Sequence, residues 1–216
     1  MIPEVYRKWI LPFLFVTHVA GIIGLIFMPQ WFKVLTPINL FVCSGLVVAG
    51  LERPSSKLVF SLLLIALFGW SIEVVGVKTE WIFGRYSYGE GLGWKFLDVP
   101  LIIGLNWAIL TYSVVQIAVS LYKGSSKFLI AAISASLLVL LDLAIEWPAP
   151  MLDFWSFGQF YAPLHNFIGW WLVGFALVYK FVPYLNEKKN TLAIWYYIIQ
   201  MIFFLTYGLV STFVLS

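Results

Sequence analysis

The sequence predicts an all-α integral membrane protein built as a bundle of about seven transmembrane helices. Of its 216 residues, 62% are apolar and only 11% are charged, whereas soluble domains carry about 25% charged residues. A soluble fold of this size would expose much of its apolar surface to water, which soluble proteins avoid. The net charge of +3 is small and scattered along the chain, so the composition also argues against a disordered chain and a nucleic-acid binder.

Seven apolar runs account for the predicted spans, since a helix needs roughly 20 apolar residues to cross a bilayer. The predicted spans are residues 10–28, 34–51, 58–77, 99–121, 128–146, 164–182 and 192–214. The first run follows Arg7 and Lys8, as a signal peptide would, but it is too long for a signal-peptide core and no A-x-A site follows it. We therefore expect a retained first helix and a single transmembrane domain over residues 1–216.

The connections between the spans differ in basic charge. Nine of the 13 Lys and Arg residues lie at the N-terminus or in and beside the second, fourth and sixth connections. The other connections carry only Lys33, Lys78, Arg85 and Lys95. The positive-inside rule then predicts a cytoplasmic N-terminus and a C-terminus on the outside.

Three carboxyl groups fall inside the predicted spans. Glu73 and Asp142 each lie about four residues before the outer end of a span, which is roughly 6 Å below the surface. Glu146 follows Asp142 by four residues and shares its helical face. Asp98, His165 and Asn166 lie at the outer starts of the fourth and sixth spans. We therefore expect the polar side chains of four helices to collect in the outer half of the bilayer.

Charged groups are costly in hydrocarbon, so intramembrane carboxyls indicate a functional site. A carboxylic acid that stays protonated in an apolar pocket can act as a general acid. The structural alternative is that these groups only hydrogen-bond neighbouring helices to each other.

The two long outer loops are rich in aromatic residues. Residues 78–98 and 147–163 contain 12 aromatics among 38 residues, or about 32%, against 19% for the whole chain. They predict an interfacial aromatic belt, an aromatic-lined mouth for an apolar or cationic ligand, or both. The Gly-rich stretch at 83–93 predicts a tightly folded or re-entrant loop instead of a helix.

Several membrane-protein classes do not fit. The last span has no lysine for a retinal Schiff base, and two histidines in distant spans are too few for a metal oxidase. The single cysteine, Cys43, excludes a multi-thiolate zinc site. No phosphate-binding GxxxxGK[ST] loop is present, and there are no aspartate pairs for magnesium and diphosphate.

Two segments resemble a known family. EVVGVKTEWIFGRYSYGEGLGWKFLDVPLIIGLNW (73–107) and DLAIEWPAPMLDFWSFGQFYAPLHNFIGWW (142–171) resemble the membrane carotenoid-biosynthesis proteins that include the carotenoid 1,2-hydratases of the gamma-carotene and bisanhydrobacterioruberin type. The chain departs from the family pattern at Thr79-Glu80, where Thr-Gly is usual, and at Glu146-Trp147-Pro148, where Glu-Pro is usual. These departures could alter the substrate pocket, but they leave the carboxyl groups in place.

The resemblance implies a hydro-lyase that adds water across the terminal 1,2 double bond of an acyclic carotenoid end group. An acid protonates the alkene, aromatic faces stabilise the tertiary carbocation, and water attacks while a base takes its proton. The implied partners are an acyclic or monocyclic carotenoid, water and membrane lipid. We expect no cofactor and no metal, because hydration is redox-neutral and no cluster of metal ligands is visible in the sequence.

The residue roles follow from this chemistry. Asp142 or Glu146 would donate the proton, and Glu73 and Asp98 would position water or accept its proton. His165 and Asn166 would orient a carboxyl group or the water. The candidates for lining the cation are Trp70, Tyr86, Tyr88, Trp147, Trp155 and Trp170.

Two other functions remain open. A lycopene-type carotenoid cyclase shares the protonation step but captures the cation with an internal double bond. A non-catalytic carotenoid- or lipid-binding membrane protein would need no acid at all. A transporter would be expected to show inverted repeats and mid-membrane helix breaks, and the sequence shows neither.

Overall fold

A computed structural model describes residues 4–51, 53–158 and 161–214, and the helical prediction is confirmed within them. Seven helices are long and apolar enough to cross a membrane, which makes the chain a multi-pass membrane protein. They are α2 (Ile10–Phe27), α3 (Pro29–Ala49), α4 (Ser56–Thr79), α5 (Ile102–Leu121), α6 (Lys127–Glu146), α7 (Leu164–Leu185) and α8 (Thr191–Val214). A four-residue helix, α1 (Glu4–Arg7), precedes them.

Short strands fold the two long loops against each other. β1 (Tyr86–Tyr88) pairs antiparallel with β4 (Trp155–Phe157), so that Tyr86 lies opposite Phe157 and Tyr88 opposite Trp155. A second hairpin pairs β2 (Lys95–Phe96) with β3 (Val99–Pro100). The expected folded loop at 83–93 is therefore a strand and its turns. The loops lie at the end of the bundle where α4 and α6 finish, and we call it the strand end.

The β2–β3 hairpin explains why the fourth span begins later than predicted. The fourth span was expected to start at residue 99, but its helix starts at Ile102 because Val99 and Pro100 belong to β3. Asp98 occupies the turn of this hairpin with a positive φ of 67°. We call the two long loops, residues 80–101 and 147–163, the loop layer. Asp98 therefore lies in this loop layer and not at the start of a transmembrane helix.

Helix α5 is the central helix of the bundle. In its apolar 18-residue stretch, 72% of the residues are buried, against 22–50% in the corresponding stretches of the other six helices. It contacts α3, α4, α6, α7 and α8. Because the number of spans is odd, the start of α2 and the end of α8 lie at opposite faces of the bundle. The cytoplasmic position of the N-terminus stays a prediction from the basic residues.

Two glycines bring α4 and α5 into close contact. A Cβ atom at Gly104 would lie 2.7 Å from the backbone oxygen of Ala66, and one at Gly69 would lie 2.4 Å from Cβ of Trp107. Small residues permit this approach, which supplies packing energy between helices in lipid. Glu73 lies one turn beyond Gly69 on α4. The close packing of Gly69 against Trp107 therefore places the Glu73 carboxyl group within hydrogen-bond distance of the Trp107 indole.

We expect Gly104→Leu to lower the stability of the bundle. The new side chain must displace helix backbone, and overpacking of this kind costs about 1–3 kcal/mol. Thermal unfolding of the purified protein in detergent measures the effect. Gly45→Leu is the matched control, because a Cβ at Gly45 meets nothing within 4 Å. Equal melting temperatures for the two variants would contradict the close α4–α5 contact.

Candidate active site

A small chamber lies at the strand end, where α4, α5, α6 and α7 converge under the paired loops. Its volume is about 50 Å³, and a water molecule needs roughly 10–15 Å³ measured in this way. The residues that line it are Glu73, Phe83, Tyr86, Tyr88, Ile103, Asn106, Trp107, Leu110, Asp142, Ile145, Glu146, Trp155, Phe157, Asn166 and Trp170. The three intramembrane carboxyl groups therefore share one enclosed space, as the sequence predicted.

Glu73 accepts three hydrogen bonds. The hydroxyl groups of Tyr86 and Tyr88 donate to its Oε2 at 2.5 and 2.8 Å, and Nε1 of Trp107 donates to its Oε1 at 3.0 Å. The side chain is 2% exposed. Both oxygens of this buried carboxyl group therefore face donors, which offset the loss of hydration.

Strand pairing places the two tyrosines. Tyr86 and Tyr88 are alternate residues of β1, so they point to the same face of the strand. Burial, together with the charge of Glu73, raises the pKa of the Tyr86 phenol above its usual range, and the same two causes raise the pKa of Tyr88. Both hydroxyls therefore stay protonated at physiological pH and remain donors to Glu73.

Asp142 is less fully bonded than Glu73. Nδ2 of Asn166 donates to its Oδ2 at 2.9 Å. Its Oδ1 is buried and has no hydrogen-bond partner among the described residues. An unpaired buried oxygen is costly. Asp142 lines the chamber, and a proton on its carboxyl group would relieve this cost.

Glu146 lies one turn beyond Asp142 on α6. Nε1 of Trp155 donates to its Oε1 at 3.2 Å, so the β4 strand ties the helix end to the loop layer. Among the described residues, no group of three or more His, Cys, Asp and Glu side chains is placed to hold a metal ion. The carboxyl groups therefore share the chamber without forming a compact ligand cluster.

Aromatic rings form much of the remaining wall. The rings of Trp107 and Trp170 stack with centroids 4.3 Å apart and planes 16° apart. Phe83 packs edge-on to Tyr86 at 6.2 Å, and Gly76 leaves room for it, since a Cβ there would lie 2.6 Å from Cδ2 of Phe83. The chamber therefore presents π faces beside its acids.

A larger cavity of about 250 Å³ adjoins the chamber. The two spaces share Asn106, Leu110, Ile145 and Trp155 as lining residues. The rest of the cavity lies between α2, α3, α5, α6 and α8, and its described lining has no Asp, Glu, Lys or Arg. The cavity and the chamber therefore are neighbours that share part of their walls.

Four of the predicted site residues lie outside the chamber lining. The expectation that Asp98 joins the buried polar layer is wrong: its side chain is 71% exposed and pairs with Lys78, which lowers the pKa of the carboxyl group through a hydrogen bond and its charge. His165 is also exposed. Trp70 instead donates weakly to the Val99 carbonyl at 3.4 Å, and Trp147 is 41% exposed.

The other eight predicted residues line the chamber. They are Glu73, Tyr86, Tyr88, Asp142, Glu146, Trp155, Asn166 and Trp170. The sequence interpretation missed Asn106 and Trp107 on α5. A signal was available, because the polar Asn106 interrupts an apolar span and shares a helical face with Ile103 and Leu110.

Comparison with known proteins bears on the family. Residues 33–216 match the family described as carotenoid biosynthesis protein. The chain belongs to this family. Over 127 residues it is also 30% identical to a bisanhydrobacterioruberin hydratase of Haloarcula japonica, and this match covers 56% of the chain. The chain spans only 43% of the length of that curated relative. No solved structure matches the chain.

The hydrogen bonds to Glu73 can be tested by their effect on stability. We expect Tyr86→Phe to destabilise the protein, because it removes a donor from the buried Glu73 at a cost of about 1–3 kcal/mol. Unfolding in detergent measures the loss. Tyr161→Phe is the matched control, since Tyr161 is 84% exposed. Equal stability of the two variants would show that the hydrogen bond from Tyr86 to Glu73 does not stabilise the protein.

Proposed function

We propose that this carotenoid biosynthesis protein is a hydratase that adds water across the terminal 1,2 double bond of an acyclic carotenoid end group. The observation that carries the proposal is the chamber, in which Glu73, Asp142 and Glu146 meet aromatic walls at the end of an apolar cavity. The similarity to a hydratase over 127 residues supports the same reaction class.

The reaction needs a strong, poorly hydrated acid, because an isolated alkene is a weak base. Protonation at C2 places the positive charge on the tertiary carbon C1. A water oxygen then bonds to C1 and loses one of its protons to a base, so the net change is the gain of one water. No electrons are exchanged with an outside partner.

Asp142 is the proposed proton donor. It lines the chamber, receives one hydrogen bond, on Oδ2, and its Oδ1 has no partner among the described residues. This pattern suits a neutral acid, whose O–H needs an acceptor or a substrate and not another donor. Asn166 holds one oxygen of the carboxyl group, which leaves the other for the proton that is transferred.

Glu73 suits the opposite role. Two phenols and one indole donate to it, and an ionised carboxylate accepts such bonds on both oxygens. A fixed negative charge beside the developing carbocation stabilises it electrostatically. Glu73 is therefore the proposed electrostatic partner of the cation, and it orients the phenols of Tyr86 and Tyr88 toward the same space.

Glu146 is the proposed base for the attacking water. It lines the chamber, and among the described residues the indole of Trp155 donates to its Oε1. It also lies one helical turn from Asp142. After the addition, the proton taken from water returns from Glu146 to Asp142, which restores the starting acid.

The aromatic walls match the charge that forms. A cation over a π face gains about 0.5–2 kcal/mol, and the stacked pair Trp107 and Trp170 offers such a face on the chamber wall. Tyr86, Phe83 and Phe157 add further rings. These groups stabilise the carbocation without a nucleophile that would trap it.

The chamber has room for the water that hydration needs. A volume of about 50 Å³ holds a few waters by the usual measure. A cyclase captures the cation with an internal double bond and needs no water there. The partners are then an acyclic end group, water and the surrounding lipid, with the chamber in the outer half of the membrane if the predicted orientation holds.

We expect Asp142→Asn to abolish hydration. Loss of a general acid lowers the rate by roughly 10²–10⁴-fold. The assay is pigment analysis in a bacterial host that makes lycopene, with protein amounts checked in the membranes. Asp98→Asn is the matched control and should keep the wild-type product, since Asp98 is exposed and its ion pair with Lys78 contributes little. Normal hydroxylation by Asp142→Asn would remove Asp142 from the mechanism.

The mass of the wild-type product decides between the two carotenoid reactions. We expect the main product to exceed the substrate by one water, and to carry heavy oxygen when the cells grow in ¹⁸O-labelled water. A product with the substrate mass and a changed absorption spectrum would indicate a cyclase. No change in the pigment would contradict both enzymes.

A further inference from the structure

We propose that the polyene of the substrate runs through the bundle in a continuous channel and leaves it into the bilayer between α2 and α8. This inference rests on the proposed function for the identity of the occupant. The geometry points to the route: the chamber, the apolar cavity beside it and a groove on the membrane-facing side of α2 and α8 share lining residues in succession.

The channel starts at the acids. Asp142 lies four residues before the end of α6, which is roughly 6 Å below the strand end. Leu110 and Ile145 form the junction between chamber and cavity, with Asn106 and Trp155 beside them. An end group in the chamber therefore continues directly into the apolar cavity.

The channel then descends toward the bilayer centre. His18 lies nine residues before the end of α2, about 14 Å below the strand end. His18 and Phe203 line both the cavity and the groove. The groove has a volume of about 360 Å³, and its lining is Leu11, Pro12, Phe15, His18, Val19, Ile22, Trp195, Ile198, Ile199, Ile202 and Phe203.

Hydrogen bonds hold His18 as a wall of this passage. Its Nδ1 lies 2.7 Å from the carbonyl oxygen of Leu14, so Nδ1 carries the proton, and its Nε2 accepts from Nε2 of Gln200 at 3.2 Å. The ring also packs edge-on against Tyr196 and Phe203. Both ring nitrogens are therefore occupied, and the ring is oriented to bound the passage.

The occupant follows from the walls. Apart from His18, the described lining of the groove is apolar, and several of its side chains, including Phe15 and Ile202, face the membrane. A long, thin hydrocarbon chain suits this groove and the largely apolar cavity, whose described lining has no charged side chain. Only a chain whose end carries a reactive double bond also uses the acids in the chamber, which favours the acyclic polyene over a phospholipid acyl chain.

Gly21 makes the route narrow and testable. A Cβ at Gly21 would lie 3.3 Å from Cε2 of Phe203, so a larger residue fills the passage between α2 and α8. We expect Gly21→Leu to reduce both the lycopene that co-purifies with the full chain in detergent and the hydroxylated product by about tenfold. Gly45→Leu, the same change in open space, should match the wild type in both measurements.

A compensating substitution tests whether Gly21→Leu acts by steric blocking of the passage. Phe203→Ala removes the ring that Gly21→Leu would contact, so the double variant should recover bound polyene. If Gly21→Leu does not accumulate in membranes, Phe203→Trp replaces it, because it narrows the same passage from α8.

Each result has a distinct meaning. Wild-type levels of bound polyene in the narrowed variants would overturn the channel, as would a purified wild type that carries phospholipid at this place and no polyene. Polyene bound in a Gly21-dependent way without any hydroxylated product would support the channel and overturn the hydratase function. If Gly21→Leu gave the hydroxylated product in unchanged yield, the hydratase function would stand and the proposed channel would be contradicted.

Discussion

The architecture of the site depends on one constraint, which is the burial of a carboxyl group among apolar helices. Glu73 is 2% exposed, and three donors from two elements offset its burial. Two of these donors come from β1, which β4 holds in place, and the third comes from α5. Glu73 therefore joins the loops to the helix bundle, as the bond from Trp155 to Glu146 also does, and the proposed chemistry at Asp142 uses the chamber that these contacts close.

Close helix packing is the second requirement, and it has the same physical origin. In lipid, apolar side chains gain little by leaving their solvent, so helices associate where small residues let backbones approach. Gly69 and Gly104 do this between α4 and α5, and the approach brings Trp107 within reach of Glu73. The glycines thus act on the site through geometry, without lining it.

Much of the fold could be predicted from the sequence, because hydrophobic length alone defines a span. The depth of the carboxyl groups could be predicted because a helix fixes it for Glu73, Asp142 and Glu146, whereas Tyr86, Tyr88 and Trp155 were found through the aromatic loops and the family resemblance. Asp98 failed this test because a two-residue strand, not a helix, follows it, and local sequence does not encode depth in a loop. The pairing of Tyr88 with Trp155 joins residues far apart in the chain, and each strand has only three residues, too few for alternation alone to predict it.

The contrast between chamber and channel explains how one small bundle could combine water with a hydrocarbon. Water added to a carbocation must be present at C1 and absent along the polyene, since a wet channel would expel an apolar chain. Asp142, whose Oδ1 has no hydrogen-bond partner among the described residues, lines the chamber. In the channel, Gln200 occupies Nε2 of His18 and a carbonyl oxygen occupies Nδ1, which leaves this ring little affinity for water. The difference between these two groups therefore favours water at the reacting end.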